Sequence, residues 1–389
     1  MDLQYSEEQH AIQQQAREFM DKQCPLERVK ALWETADGMD DALWRAIAEL
    51  GWLGMLLPEE HGGMGLGATE MSRVLEEAGR GLLPGPFLAT LLGAQAILLG
   101  GNEAQRAAWL PPIADGKLRV ALVRSGEGGR WDAAGGLFRA TPGQGGTGLH
   151  GEKIAVAGAG QAGLLVVAAV EGDAAPTLDG LAWHVVDADA PGVTIQPLEA
   201  VEGGIKQAGV TLRHVTVAAD RRLTGAPGSE VARGVANLAD LALAFDALGG
   251  AERAMHMAVE YAKIREAFGQ PIGSYQAIKH QCADMLYAVE SLRVIAQWAA
   301  WVLDVPPEQS GADAAVAVAM ARAAAIEAYD LVIKHATQVQ GAIATTEEHQ
   351  MHLFAKRSRV LAHSFGNLAA YQETILAANG FPALAQAGA

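Results

Sequence analysis

Two long helix-forming runs, separated by a short segment that cannot be helical, constrain this chain more than any other feature. Ala232–Ile264 is rich in Ala and Leu and reads as one helix, and Tyr275–Val302 reads as a second. Between them Gly269, Pro271 and Gly273 cannot all occupy a helix interior. The pattern therefore predicts two long helices joined by a short ordered turn that carries Arg265, Phe268, Gln270 and Gln276. A guanidinium and a side-chain amide flanking a Gly/Pro turn can clamp a phosphate or a polar ring edge. A helix hairpin with a charged rim is the plainer alternative.

At 389 residues the chain is long enough for two or three domains with substantial cores. Half of its residues are hydrophobic and 19% are charged, which places it among globular rather than disordered chains. A formal net charge of −16 argues against a nucleic-acid partner. Cys24 and Cys282 supply no disulfide framework, which fits a reducing cytoplasm. The chain opens on a polar amphipathic segment, and no apolar run approaches membrane-spanning length. The expectation is a soluble cytoplasmic protein with no membrane partner.

Leu3–Met20 has apolar residues at helical spacing, with Ser6-Glu7-Glu8 as an N-cap and first turn. Asp40–Leu50 is a second helix. The stretch 51–67 is broken by glycines and a proline into a structured loop, and it lacks the context and the Lys-Ser/Thr of a P-loop.

From about Leu118 the composition becomes β-rich, with short runs at Val120–Val123, Leu164–Val170, Trp183–Val186 and Gly209–Leu212. Four long helical runs follow: Val231–Ile264, Tyr275–Leu303, Gln309–Gln340 and Glu347–Asn379. The expected architecture is α+β multidomain: a helical N-terminal domain over 1–116, a middle antiparallel β domain over 117–222 and a C-terminal four-helix bundle over 223–389. His349-x-x-His352 lacks nearby Cys or paired carboxylates and is expected on an exposed helix face, so no metal site is predicted.

The run R-E-A-F-G-Q-P-I-G-S-Y-Q-A-I-K-H, beginning at Arg265, resembles the signature of the acyl-CoA dehydrogenase family, in which this turn contacts FAD. The loop from Gly51 resembles the family's G-W-x-G-x-x-x-P-E-E-x-G-G-x-G, and Glu76-Glu77-Ala78-Gly79-Arg80 continues the likeness. In the family that region is architectural and borders the acyl pocket. Layout and motifs together imply the acyl-CoA dehydrogenase fold, with FAD as cofactor, an acyl-CoA as substrate and an electron-transferring flavoprotein as acceptor.

The resemblance implies cofactor-binding roles for Arg265, Phe268 and Gln276. It implies the same for Ser125, in the segment that would meet the flavin pyrimidine edge, where Glu127 adds a carboxylate. Gln338 and Gly341 open a segment like the family's Q-x-x-G-G-x-G, which meets the FAD pyrophosphate from a neighbouring subunit; Ala342 and Ala344 replace two of its glycines. Ala155 stands where an aromatic often covers the flavin.

The family reaction removes an α proton with a carboxylate while hydride leaves the β carbon for the flavin. Phe365 occupies the usual position of that base, and Ala239 occupies the alternative position upstream of Arg265. Asp246 lies two turns beyond Ala239 on the same helical face, and is either a desolvated base or a satisfied structural carboxylate. Three readings stay open. The chain is a diverged subunit of a hetero-oligomeric dehydrogenase acting on bulky acyl-CoAs such as sterol side chains, or a structural subunit without its own flavin, or a self-sufficient homotetramer using Asp246 as base.

Overall fold

A computed structural model of the chain describes residues 4–124, 138–143, 145–172, 174 and 177–381. The N-terminal helices are α1 (Glu7–Gln23), α2 (Leu26–Trp33), α3 (Asp41–Glu49), α4 (Ala68–Arg80), α5 (Phe87–Gly100) and α6 (Glu103–Ala114). Seven strands follow: β1 (Val120–Val123), β2 (Phe138–Gly143), β3 (Gly146–Ala157), β4 (Leu164–Glu171), β5 (Leu181–Asp187), β6 (Val193–Leu198) and β7 (Gln207–Val217). Then come α7 (Gly228–Ile264), the strands β8 (Glu266–Ala267) and β9 (Gln270–Pro271), α8 (Gln276–Asp304), the short α9 (Pro307–Ser310), α10 (Ala314–Gln340), α11 (Met351–His363) and α12 (Leu368–Ala378).

By contacts the chain groups into two compact units, which cut across the boundaries that composition suggests. One comprises Met1–Lys30, Ala68–Leu83 and Asp240–Ala389; the other comprises Ala31–Gly67 and Pro84–Ala239.

The first unit is helical. Ser6 caps α1, as the sequence predicts, and the structure adds a reciprocal capping box with Gln9. Helix α4 starts without a cap of its own; the carboxylate of Asp304, at the far end of α8, accepts hydrogen bonds from the N–H groups of Ala68 (2.6 Å) and Thr69 (2.8 Å). Gly79 of α4 and Gly249 of α7 are where the two backbones close in. A Cβ on Gly79 would collide with the backbone of Asp246, and one on Gly249 with the carbonyl of Glu76. Glu76 and Glu77 are fully buried, and arginines meet both: Arg73 and Arg293 for Glu76, Arg17 for Glu77. That is the physical content of the Glu76–Arg80 motif.

The fourth expected C-terminal helix is two helices. The run Glu347–Asn379 breaks at Ser364–Asn367, where Phe365 adopts a left-handed backbone (φ 64°) and Asn367 caps α12. Periodicity continues across the break, and Phe carries no turn signal, so the pattern alone reads straight through. His349 and His352 are half-buried rather than on an exposed face, and burial lowers the pKa of each.

The second unit holds the β sheet. The strand order is β1-β4-β2-β3-β7-β6, with β5 on the free side of β4. The expected antiparallel pairing holds for β2–β3, β3–β7, β6–β7 and β4–β5. Two parallel ladders join it: β1 lies against Leu164–Val167 of β4, and β2 against Ala169–Glu171. Flanked on both edges and buried from Leu164 to Val170, β4 needs apolar residues throughout, and its sequence is an unbroken apolar run. Phe138, Leu149, Leu165, Val167, Val210 and Leu212 form the sheet's core. No described helix is long and apolar enough to cross a membrane.

Candidate functional site

The segment after α7 folds as a minimal hairpin. Glu266 pairs with Pro271 and Ala267 with Gln270, leaving Phe268-Gly269 as a two-residue loop. Both loop residues are left-handed, with φ of 53° and 80°. That is the geometry of a type I′ turn, which matches strand twist and favours Asn-Gly. Phe in its first position is a strained choice, costing about 1–2 kcal/mol. The Phe268 ring is 98% exposed, so burial does not offset that cost.

Tyr275 stiffens the hairpin, donating to the Ala267 carbonyl (2.8 Å) and meeting the Phe268 ring edge-on. Gly273 lies close against the Ala262 carbonyl, which explains the second glycine. Arg265 and Gln276 flank the turn, and both are exposed. Among the described residues the Arg265 guanidinium has no hydrogen-bond or ion-pair partner, although the chain is strongly acidic. A rigid hairpin with an unpaired guanidinium, an amide and an exposed aromatic ring is suited to holding an anionic group with a planar ring system.

Gln338 and Gly341 sit at the end of α10. Gln338 is exposed, while Gln340 is buried. Gly341 has a positive φ (69°, with ψ −150°), a region open essentially to glycine, and its N–H returns to the Thr337 carbonyl. Residues Gly341–Thr345 form a 3-10 turn in which Ala342 and Ala344 keep negative φ. The two alanines therefore carry no backbone strain, and Gly341 alone needs to be glycine. Arg265, Phe268 and Gln276 are thus brought together by one hairpin, and Gln338 and Gly341 by one helix end. Among the described residues no hydrogen bond or ion pair links the two groups.

In the sheet, β3 shifts register between Lys153 and Val156. Ala155 sits in that bulge with a left-handed φ of 57°, and it is exposed together with Ile154. The bulge breaks the inward/outward alternation, so Ile154 becomes the large apolar side chain presented beside Ala155. Ser125 and Glu127 lie outside the described residues.

The carboxylates near the two base positions are engaged. Arg357 of α11, itself buried, donates to Asp246 (3.0 Å) and to the Leu83 carbonyl (3.2 Å). Tyr371 donates to Asp240 (2.5 Å), and Arg322 lies 3.8 Å from the same oxygen. Ala239 is fully buried and Phe365 half-buried.

Sequence reasoning missed the buried arginines Arg322 and Arg357. The available signal was a lone arginine on an apolar helix face, as in Met320-Ala321-Arg322-Ala323-Ala324, which calls for a buried counter-charge.

Comparison with known proteins shows the family to which the chain is similar. The acyl-CoA dehydrogenase N-terminal domain model matches residues 6–117, and the acyl-CoA dehydrogenase C-terminal domain model matches residues 227–380. Acyl-CoA dehydrogenase IpdE2 of Mycobacterium tuberculosis is 29% identical over 353 residues, covering 90% of this chain and 91% of IpdE2. Acyl-CoA dehydrogenase FadE34 of the same organism is 33% identical over 334 residues; these are 85% of this chain but 41% of FadE34, so the chain spans less than half of that relative. A chain in the crystal structure of the ChsE4-ChsE5 complex from Mycobacterium tuberculosis matches with a TM-score of 0.87 at 27% identity, covering 98% of this chain and 99% of that one. This chain belongs to the acyl-CoA dehydrogenase family.

Proposed function

We propose that this chain is one subunit of a hetero-oligomeric, FAD-dependent acyl-CoA dehydrogenase, and that a homologous partner subunit supplies the catalytic base. The observation that carries this reading is an asymmetry. The hairpin of Arg265, Phe268 and Gln276 is fully built and exposed, whereas Phe365 and Ala239 leave both base positions without a carboxylate. Asp246, the remaining candidate, has its charge met by Arg357 at 3.0 Å. A base that must take a carbon-bound proton needs a free carboxylate facing the substrate.

The residues fit an FAD on the hairpin side. Arg265 would hold an anionic part of the cofactor, Gln276 and Gln338 would offer amides, and Gly341 would allow close backbone approach. When bound, the flavin supplies the hydride acceptor for α,β-dehydrogenation. Phe268 would cover an apolar surface and exclude water. Ser125, from the resemblance, would meet the flavin edge.

The partner reading draws on an apolar surface in the same unit. Tyr287 and Val294, two turns apart on one face of α8, and Leu286 beside them are exposed, as are Ile264 and Phe268 at the hairpin. Exposed apolar side chains gathered in this way fit burial by another subunit. The ChsE4-ChsE5 complex sets a precedent among similar structures for a two-component assembly. We assign a bulky acyl-CoA as substrate and an electron-transferring flavoprotein as acceptor, in the cytoplasm.

Ala155, Ala342 and Ala344 favour a second reading, a structural subunit that holds no flavin of its own. Site replacement in the reconstituted assembly separates the two. In the first reading, removing the partner's base abolishes turnover, Asp246→Asn here leaves it intact, and Arg265→Ala removes flavin. Turnover lost with Asp246→Asn in a folded assembly would return the base to this chain. Full flavin content in Arg265→Ala would favour the structural subunit.

A further inference from the structure

Strands β3 and β7 bring together two histidines that lie far apart in the sequence. His150 of β3 and His214 of β7 have ring centroids 5.1 Å apart and ring planes inclined by 30°. Both side chains are exposed, on the sheet face opposite to the core into which Leu149, Leu212 and Val215 point.

A β-bulge makes this meeting. Leu149 pairs with Val215 and Gly151 with Leu212, so His150 alone stands opposite Arg213 and His214. His214 there holds a left-handed φ of 52°. Histidine enters that region more readily than most side chains, and the extra residue re-aims the ring toward β3.

Packing of two surface rings would account for the contact alone, but the surroundings favour more. Two imidazoles bound to one tetrahedral ion at ~2.0–2.1 Å have centroids ~5 Å apart, the spacing seen here. Among the described residues neither imidazole has a hydrogen-bond or ion-pair partner, so no protein group competes for their nitrogens. Arg139 of β2 is in register with His150, yet its guanidinium is drawn to the other side of β2. There its Nη1 donates to the carbonyls of Gly172 and Ala174, 3.1 Å each, at the end of β4. Arg213 stays as an exposed neighbouring charge, which solvent and salt screen.

We propose that His150 and His214 form a chelate for a divalent transition-metal ion. Imidazole nitrogens suit Cu²⁺, Ni²⁺ and Zn²⁺, whereas Mg²⁺ and Ca²⁺ take oxygen donors. The outer torsion of histidine is broad, so rotation of the rings converges the nitrogens with the backbone fixed. No third His, Cys, Asp or Glu joins them among the described residues. Water fills the remaining coordination positions, which makes an open site rather than a closed structural one. Neither histidine belongs to the hairpin or to the base positions, so the chelate stands or falls independently of the dehydrogenase reading.

Calorimetric titration of the untagged, chelator-treated full-length protein with CuCl₂ and ZnCl₂ tests this. His150→Asn, His214→Asn and the double variant are titrated alongside. Asparagine tolerates a left-handed backbone, so the bulge is expected to survive the change at 214. The unaltered protein should bind one ion per chain at this site, with copper held more tightly than zinc. Because the second imidazole binds intramolecularly, losing either one should weaken the affinity about hundredfold. Each single variant should therefore lose the tight site as completely as the double variant does. Copper electron paramagnetic resonance should show two coordinated imidazole nitrogens in the unaltered protein. A tight site that survives either single substitution would overturn the chelate. So would single variants that each remove an equal, independent share of the binding. His150→Asn, at a regular strand position, keeps the test open should His214→Asn not fold.

Discussion

Arg357 and Asp246 form a near-buried ion pair, nitrogen to oxygen 3.0 Å, with the two side chains 2% and 14% exposed. Removing one partner from such a pair strands a charge in a poorly hydrated place. Asp246→Asn is therefore expected to cost about 3 kcal/mol of unfolding free energy, read from denaturant melts, while assembled turnover survives. Combining it with Arg357→Met should recover part of the loss, because the stranded charge is gone. Additive losses would show that the two side chains do not work as a pair.

His184 should make the sheet unit sensitive to mild acid. It is fully buried in β5, and among the described residues neither ring nitrogen has a hydrogen-bond partner. Burial, and secondarily the charge of Arg222, push its pKa from 6.5 to about 4. Between those values the unfolded chain binds the proton and the folded chain does not, so stability falls as pH drops below 6.5 and the loss is complete below about 4. The full effect is about 3 kcal/mol. Urea melts across that window should flatten in His184→Leu; an unchanged slope would show that other groups carry the acid response.

Asp304 caps α4 from across the helical unit, reaching two backbone N–H groups and the hydroxyl of Thr69. Asp304→Ala is expected to lower stability by about 1–2 kcal/mol, and Asp304→Asn by less because one acceptor remains. Thermal melts measure both. Equal losses would mean that charge rather than acceptor geometry matters.

Arg265→Ala tests the hairpin directly. Among the described residues the guanidinium has no partner, so its removal should leave the melting temperature within a degree or two while lowering flavin content of the assembly at least tenfold. A large loss of stability instead would mean that Arg265 is structural.

Much of the molecule was legible in the residues. Ser6-Glu7-Glu8 announced the start of α1, the apolar run at Leu164–Val170 announced a strand, and Gly269, Pro271 and Gly273 announced an ordered turn between two long helices. The break at Phe365 was not legible, because periodicity survives it and tertiary contacts from Arg322 and Tyr371 impose the conformation. The parallel ladders of β4 were hidden for a similar reason: which edge a strand joins depends on the whole sheet. Asp246 was visible as a lone carboxylate amid apolar neighbours, but its partner Arg357 lies far along the chain, and one sequence gives no measure of that pairing.

The flavin spectrum of this chain, purified alone and then co-purified with a homologous partner subunit, tests the central claim most directly. The account predicts little or no flavin absorbance from the chain alone, flavin absorbance in the complex, and bleaching of that absorbance by a bulky acyl-CoA. A yellow protein purified alone and bleached by acyl-CoA without a partner would contradict it, because the chain would then carry a complete site and its own base.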